Sequence, residues 1–233
     1  MKILFFLLFV TTLYGQTTNV AYYNIKFLFE EPSSEVSMRF NRYFENAIKY
    51  QDDVILTLKF NKQRAVFERD DMLKNKLNEP AFTLCLCEKP VFTDLVNKQI
   101  KYNNKGSAVS GIFENEYLVH KDIFNDWALL NDQKIINGFL TFKAKKIVKN
   151  VEGKHEEIIA WYAPELSFPF GPSIYSGLPG LIVQLQEREK MFVLTKIDFN
   201  TNEKLISEPN EGKIISAENY EKLEFDNYNH FIK

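Results

Sequence analysis

Short runs of alternating apolar and polar residues, each closed by a small polar turn, constrain this chain most. Phe139 to Val148 and Glu156 to Tyr162 flank the turn Asn150-Val151-Glu152-Gly153-Lys154. Leu181 to Gln186 and Met191 to Phe199 flank Glu187-Arg188-Glu189-Lys190. Period-two patterning with four- or five-residue polar breaks predicts antiparallel hairpins. Earlier segments repeat the theme. Asn19 to Phe29 alternates, with Tyr23, Ile25, Phe27 and Phe29 on one face. Val54 to Phe60 and Arg64 to Glu68 read as a hairpin. Phe82 to Cys87, Val91 to Tyr102 and Ile112 to His120 read as extended.

One helix interrupts the early strands. Ser34 is placed to cap a helix reaching about Tyr50, with Val36, Phe40, Tyr43, Phe44, Ala47 and Ile48 on one face. Asp70 to Asn78 is polar and ambiguous, with a short helix as one reading. Ser216 is placed to cap a terminal helix through Leu223. The expected fold class is therefore α+β. One large curved antiparallel sheet, a meander or half-open barrel, carries an early amphipathic helix.

The N-terminus reads as a targeting segment. Met1-Lys2 precedes the apolar run Ile3 to Val10, and Thr11 to Gly15 leads to Gln16. This is the layout of a secretory signal, and the run is shorter than the roughly 20 apolar residues of a membrane-spanning helix. The expected division is a signal peptide over 1–15 and a single β-rich domain over 16–233. Hydrophobic content of 45% and aromatic content of 15% suit a sizeable core. The net charge of −2 comes from interspersed acids and bases, which gives no footprint for nucleic acid.

Between Tyr162 and Leu181 the patterning gives way to glycine and proline. Leu178-Pro179-Gly180-Leu181 fits a type II turn, with Pro179 presetting φ and Gly180 supplying positive φ. This stretch, Gly177-Leu178-Pro179-Gly180-Leu181-Ile182, follows Ala160-Trp161-Tyr162-Ala163-Pro164-Glu165 and Phe168-Pro169-Phe170-Gly171-Pro172. Upstream, Trp127, Ile136, Gly138, Phe139, Lys143 and Ala144 occur in that order. Together these segments resemble the GLPGLI family over roughly residues 127 to 199. The resemblance implies an exported protein of a bacterium with an outer membrane, periplasmic or secreted, with no assigned activity. A cysteine common in that family before the lysine is replaced here by Thr141-Phe142, so no role for that thiol carries over.

Few residues are placed for chemistry. Cys85 and Cys87 would share one face of a strand, and three readings stand: buried thiols, a disulfide, or a soft-metal site. The histidines are His120, His155 and His230, isolated in sequence and expected at the surface. Ser173 and Ser176 lie outside any nucleophile-elbow pattern. The acidic pairs, such as Asp52-Asp53, put neighbouring side chains on opposite faces and make poor acid–base couples. No cofactor is implied.

The aromatic group Trp161, Tyr162, Phe168, Phe170 and Tyr175, stiffened by Pro164, Pro169 and Pro172, is the candidate ligand or partner wall. Its alternative is a plug of core rings. The leading expectation is a non-catalytic binding or accessory module of the cell envelope for an apolar ligand or a protein partner. A metal or redox role at Cys85 and Cys87, and an uncatalogued hydrolase, are the alternatives.

Overall fold

The computed structural model describes residues 17–29, 38–106, 111–124, 126–149, 153–203 and 208–231. The signal segment, the Ser34 cap and Val36 lie outside them. Twelve strands form one open sheet: β1 (Thr18–Phe27), β2 (Ile55–Phe60), β3 (Arg64–Asp70), β4 (Val91–Asp94), β5 (Gln99–Asn103), β6 (Tyr117–Asp122), β7 (Ala128–Ile136), β8 (Phe139–Lys149), β9 (His155–Ala163), β10 (Leu181–Glu187), β11 (Lys190–Thr201) and β12 (Lys213–Ser216). Three helices accompany it: α1 (Met38–Lys49), α2 (Glu79–Cys85) and α3 (Ala217–Phe231).

The spatial order is β12-β6-β5-β4-β3-β2-β1-β11-β10-β9-β8-β7. Two antiparallel meanders therefore meet at one seam, β1 against β11. Only β12 runs parallel to its neighbour, β6. The α+β expectation holds, and the sheet does not close.

β1 shows why these sequences make strands. Tyr23, Ile25 and Phe27 are buried while Tyr22, Asn24 and Lys26 alternate to the other face, the period-two pattern of a sheet with one dry side. Their rings and chains join Leu56, Leu58, Phe60, Phe67, Leu185, Phe192 and Leu194 in the main core. Tyr23 sits edge-on to Phe67, and Phe67 edge-on to Phe192. Burial pushes the Tyr23 hydroxyl well above the usual phenol range, and the hydroxyl donates to the Ile182 carbonyl at 2.7 Å.

α1 packs through Ala47, with Tyr43 and Phe44 half-buried. Ile48, expected on the same face, points outward, one step round the helix from Ala47. β7 was not expected as a strand. Asn137 and Gly138 take φ of 49° and 86°, the twin positive angles of a tight hairpin turn, and so pair β7 with β8. Val91 to Tyr102 is not one strand but a hairpin, β4–β5.

The clearest correction concerns Phe82 to Cys87. It is not extended; Phe82 to Cys85 complete α2. Pro80 lies in the first turn, where its missing N–H costs nothing. Ala81, Phe82 and Cys85 then face the core at helical spacing. Leu86 ends the helix in the left-handed region at φ 56°. Six alternating letters are too few to separate a strand from a short buried helix.

The β4–β5 turn is organised by Asp94, whose side chain is 2% exposed. It accepts the amides of Val96 and Asn97 at 2.8 and 3.0 Å, and the Asn97 side chain at 3.0 Å. Burial alone would raise its carboxyl, but these bonds, with Arg64 nearby, hold it below the ordinary range. A carboxylate depressed by folding stabilises above its unfolded pKa, and that contribution fades as pH falls through the folded pKa. Asp94→Asn is expected to cost about 1–3 kcal/mol at neutral pH. It should also flatten the acid limb of the stability curve. Urea titrations at pH 7 and pH 3 check both.

Candidate functional site

The sheet bends until its two ends line one cleft. Lys121 of β6 and the helix α3 form one side; Val148 and Lys149 of β8 and Glu156 of β9 form the other. This cavity is about 550 Å³. A second, of about 360 Å³, lies against Tyr102, Lys89 and Lys105. Ile174, Glu221 and Glu224 line both and join them.

α3 is built for this position. The Ser216 hydroxyl accepts the Asn219 amide at 3.3 Å, the expected cap. Ala217 and Tyr220 bury against Ile112 and Val119 in a small second core. Glu221, Glu224, Phe225 and Tyr228 recur at the spacing of one helical face, and all four line the cleft.

The cleft is polar with aromatic walls. Tyr175 donates to Glu187 at 2.7 Å. Arg188 pairs with Glu156 at 2.5 Å. Tyr220 donates to Glu224 at 2.7 Å. Glu221 and Glu224 make no salt bridge among the described residues. Burial lifts the Glu221 carboxyl, with Lys121 opposing the effect and Glu224 adding to it. Burial lowers the Lys121 ammonium, helped by Lys146. Burial, with Glu221 and Glu224, pushes the Tyr102 phenol up to about 12. The α3 wall thus carries two carboxylates that have no ion pair among the described residues.

The residues singled out from sequence divide. Phe170 is 1% exposed and packs on Phe60, which Phe168 also meets edge-on. Tyr162 and Tyr175 are buried, and Tyr175 touches the cleft as part of its floor. Trp161 lies on the opposite face from Ile158 and the core, half-exposed. The five rings do not make one open wall.

The Gly-Pro stretch ties this loop to the sheet. Leu178, Leu181 and Ile182 are buried. The Leu181 amide donates to Leu166 O at 2.9 Å and the Ile182 amide to Phe170 O at 3.0 Å. The Gly180 amide donates to Leu178 O at 2.8 Å, so the turn closes one residue earlier than a type II turn would. Gly180 has φ of 155°, because it lies flat against the end of β9.

Cys85 is buried and Cys87 half-buried, both as free thiols. The Cys87 thiol donates to Cys85 O at 3.2 Å; bonding to Cys85 and burial push it well above its usual value. Among the described residues no group of three His, Cys, Asp or Glu is arranged to hold a metal ion. Ser176 Oγ is buried without a hydrogen-bond partner there, so no histidine activates it. His120 is not at the surface as expected. It is half-buried, and its Nε2 also lacks a partner. Among the described residues no helix is long and apolar enough to cross a membrane.

Residues 133–184 match the model of a family described as a protein of unknown function (Porph_ging). The expectation of a family without assigned activity holds at that level. No curated protein matches the sequence. The fold is similar to the structures of PNGF-II in the P21 and C2 space groups, each at a TM-score of 0.53, with 12% and 13% identity. The likeness covers 91% of this chain, and 34% and 33% of those chains. The chain thus spans about a third of their length. At such identity the similarity shows the fold alone.

Proposed function

We propose that the protein is a non-catalytic binding module of the cell envelope that takes a basic segment of a partner protein into the α3 cleft. The cleft itself carries this reading: two joined cavities, with Glu221 and Glu224 on one helical face and without an ion pair among the described residues. An apolar ligand inside the sheet is disfavoured, because Phe60, Phe170, Phe192 and their neighbours already fill that space. A lysine or arginine side chain would meet Glu221 and Glu224, and its stem would lie along Phe225, Tyr228 and Ile174. The secretory layout of the first fifteen residues supports export to the periplasm or beyond.

Photo-crosslinking tests this. Tyr228 is 51% exposed and lines the cleft; Phe199, equally exposed on β11, does not. Benzoylphenylalanine at 228 is expected to capture a discrete partner from an envelope extract, and the same group at 199 is not. The product should vanish with Glu221→Lys and Glu224→Lys combined. Equal capture at both positions, or indifference to those charges, would sink the proposal.

A further inference from the structure

We propose that Lys134, Lys143, Trp161 and Gln184 form a second site, for a phosphate-type oxyanion, on the face of the sheet turned away from the core. The pairing register builds it. Lys143 on β8 stands opposite Trp161 on β9, and Trp161 stands opposite Gln184 on β10, so the three share one face. Lys134 on β7 stands opposite Thr141, two residues from Lys143, and joins them. The positions are held firmly. Thr141 is buried and donates to Lys134 O at 2.7 Å. The Asn137 side chain donates to Leu194 O and anchors the hairpin tip on β11.

Two ammonium groups thereby converge on one indole. Lys134 Nζ lies 4.1 Å from the Trp161 ring centre and donates to Gln184 Oε1 at 3.2 Å. Lys143 Nζ lies 6.0 Å from the same ring. Neither forms a salt bridge among the described residues, unlike several other lysines of the sheet. Lys145 has Glu157 at 3.4 Å, Lys196 has Asp198 at 2.7 Å, and Lys59 has Glu68 at 3.1 Å. Like charges brought together without a carboxylate repel. Burial and the Lys143 charge hold the Lys134 ammonium below its usual range, consistent with that strain. A tetrahedral dianion would neutralise both lysines and accept charge-assisted bonds from each, with the Gln184 amide as a further donor. All four residues fall within the family-matched segment, and the site is independent of the α3 cleft.

Because the chain has two tryptophans, Trp127→Phe leaves Trp161 as the sole indole reporter. Inorganic phosphate, titrated against chloride at fixed ionic strength, is expected to change its fluorescence saturably, with matching heat in calorimetry. Lys134→Gln and Lys143→Gln should each weaken binding by about tenfold or more. Lys143→Arg should retain it, and urea midpoints should show all variants folded. A parallel arm uses vesicles. Sedimentation with phosphatidylglycerol but not phosphatidylcholine, lost in Lys134→Gln, would assign the oxyanion to a lipid headgroup. No saturable response in either arm, or parent-like affinity in both glutamine variants, overturns the proposal and leaves the lysines as a ring cover.

Discussion

Phe170→Ala is expected to destabilise the fold by about 3–5 kcal/mol. The ring is 1% exposed and lies 6.1 Å from Phe60. Its own carbonyl accepts the Ile182 amide, so a cavity there opens at the junction of loop and sheet. For a chain of this size the melting midpoint should fall by roughly 6–20 °C. Trp161→Ala, on the half-exposed face, should cost far less. Calorimetry of the two variants separates a core ring from a surface ring. A Phe170→Ala midpoint within a degree or two of the parent would mean that the loop is not packed as described.

Gly180→Ala carries the next largest effect. A Cβ at this position would stand 2.3 Å from the Ala163 carbonyl oxygen and 2.6 Å from its carbon. Both atoms are backbone and cannot rotate away. The φ of 155° adds a conformational cost. The expected loss is about 2–4 kcal/mol, read from the urea midpoint. Gly138→Ala makes a useful contrast. It too has positive φ, but nothing lies within 4 Å of the added carbon, so only the backbone term, about 1 kcal/mol, should appear.

Much of the sheet was legible in the sequence, because alternating burial writes itself in letters two apart. Tyr23, Ile25 and Phe27 announced β1, and the hairpins β2–β3, β8–β9 and β10–β11 followed from their polar turns. Failures arose where the local signal was short or the partner distant. Phe82-Thr83-Leu84-Cys85 alternates well enough for a strand, yet Pro80 and the burial of Ala81, Phe82 and Cys85 make it a helix. β7 was missed although Asn137-Gly138 is a strong hairpin signal. Ala128–Ile136 is mostly exposed and carries no regular apolar alternation.

Of the cleft, only Tyr175 was singled out in the sequence. The cleft joins residues from β6, β8, β9 and α3, and only the bend of the sheet brings them together. The spacing of Glu221, Glu224, Phe225 and Tyr228 was there to be noticed, but helical spacing alone does not say what a face meets. Trp161 was singled out among rings that fill the interior. Its lysine neighbours come from strand register, which a linear reading supplies only after the hairpins are paired.

The seam between β1 and β11 has a consequence for how the molecule comes into being. Tyr23 stands opposite Leu194, across most of the polypeptide. While a nascent chain is threaded out N-terminus first, the leading ribbon has a mate on only one flank, and its other row of amides stays bare until almost the whole length has emerged. Such long-range closure is slow. An unmated ribbon of this kind invites pairing with strangers, so a holding chaperone should raise the yield of correctly formed molecules most when synthesis is fastest.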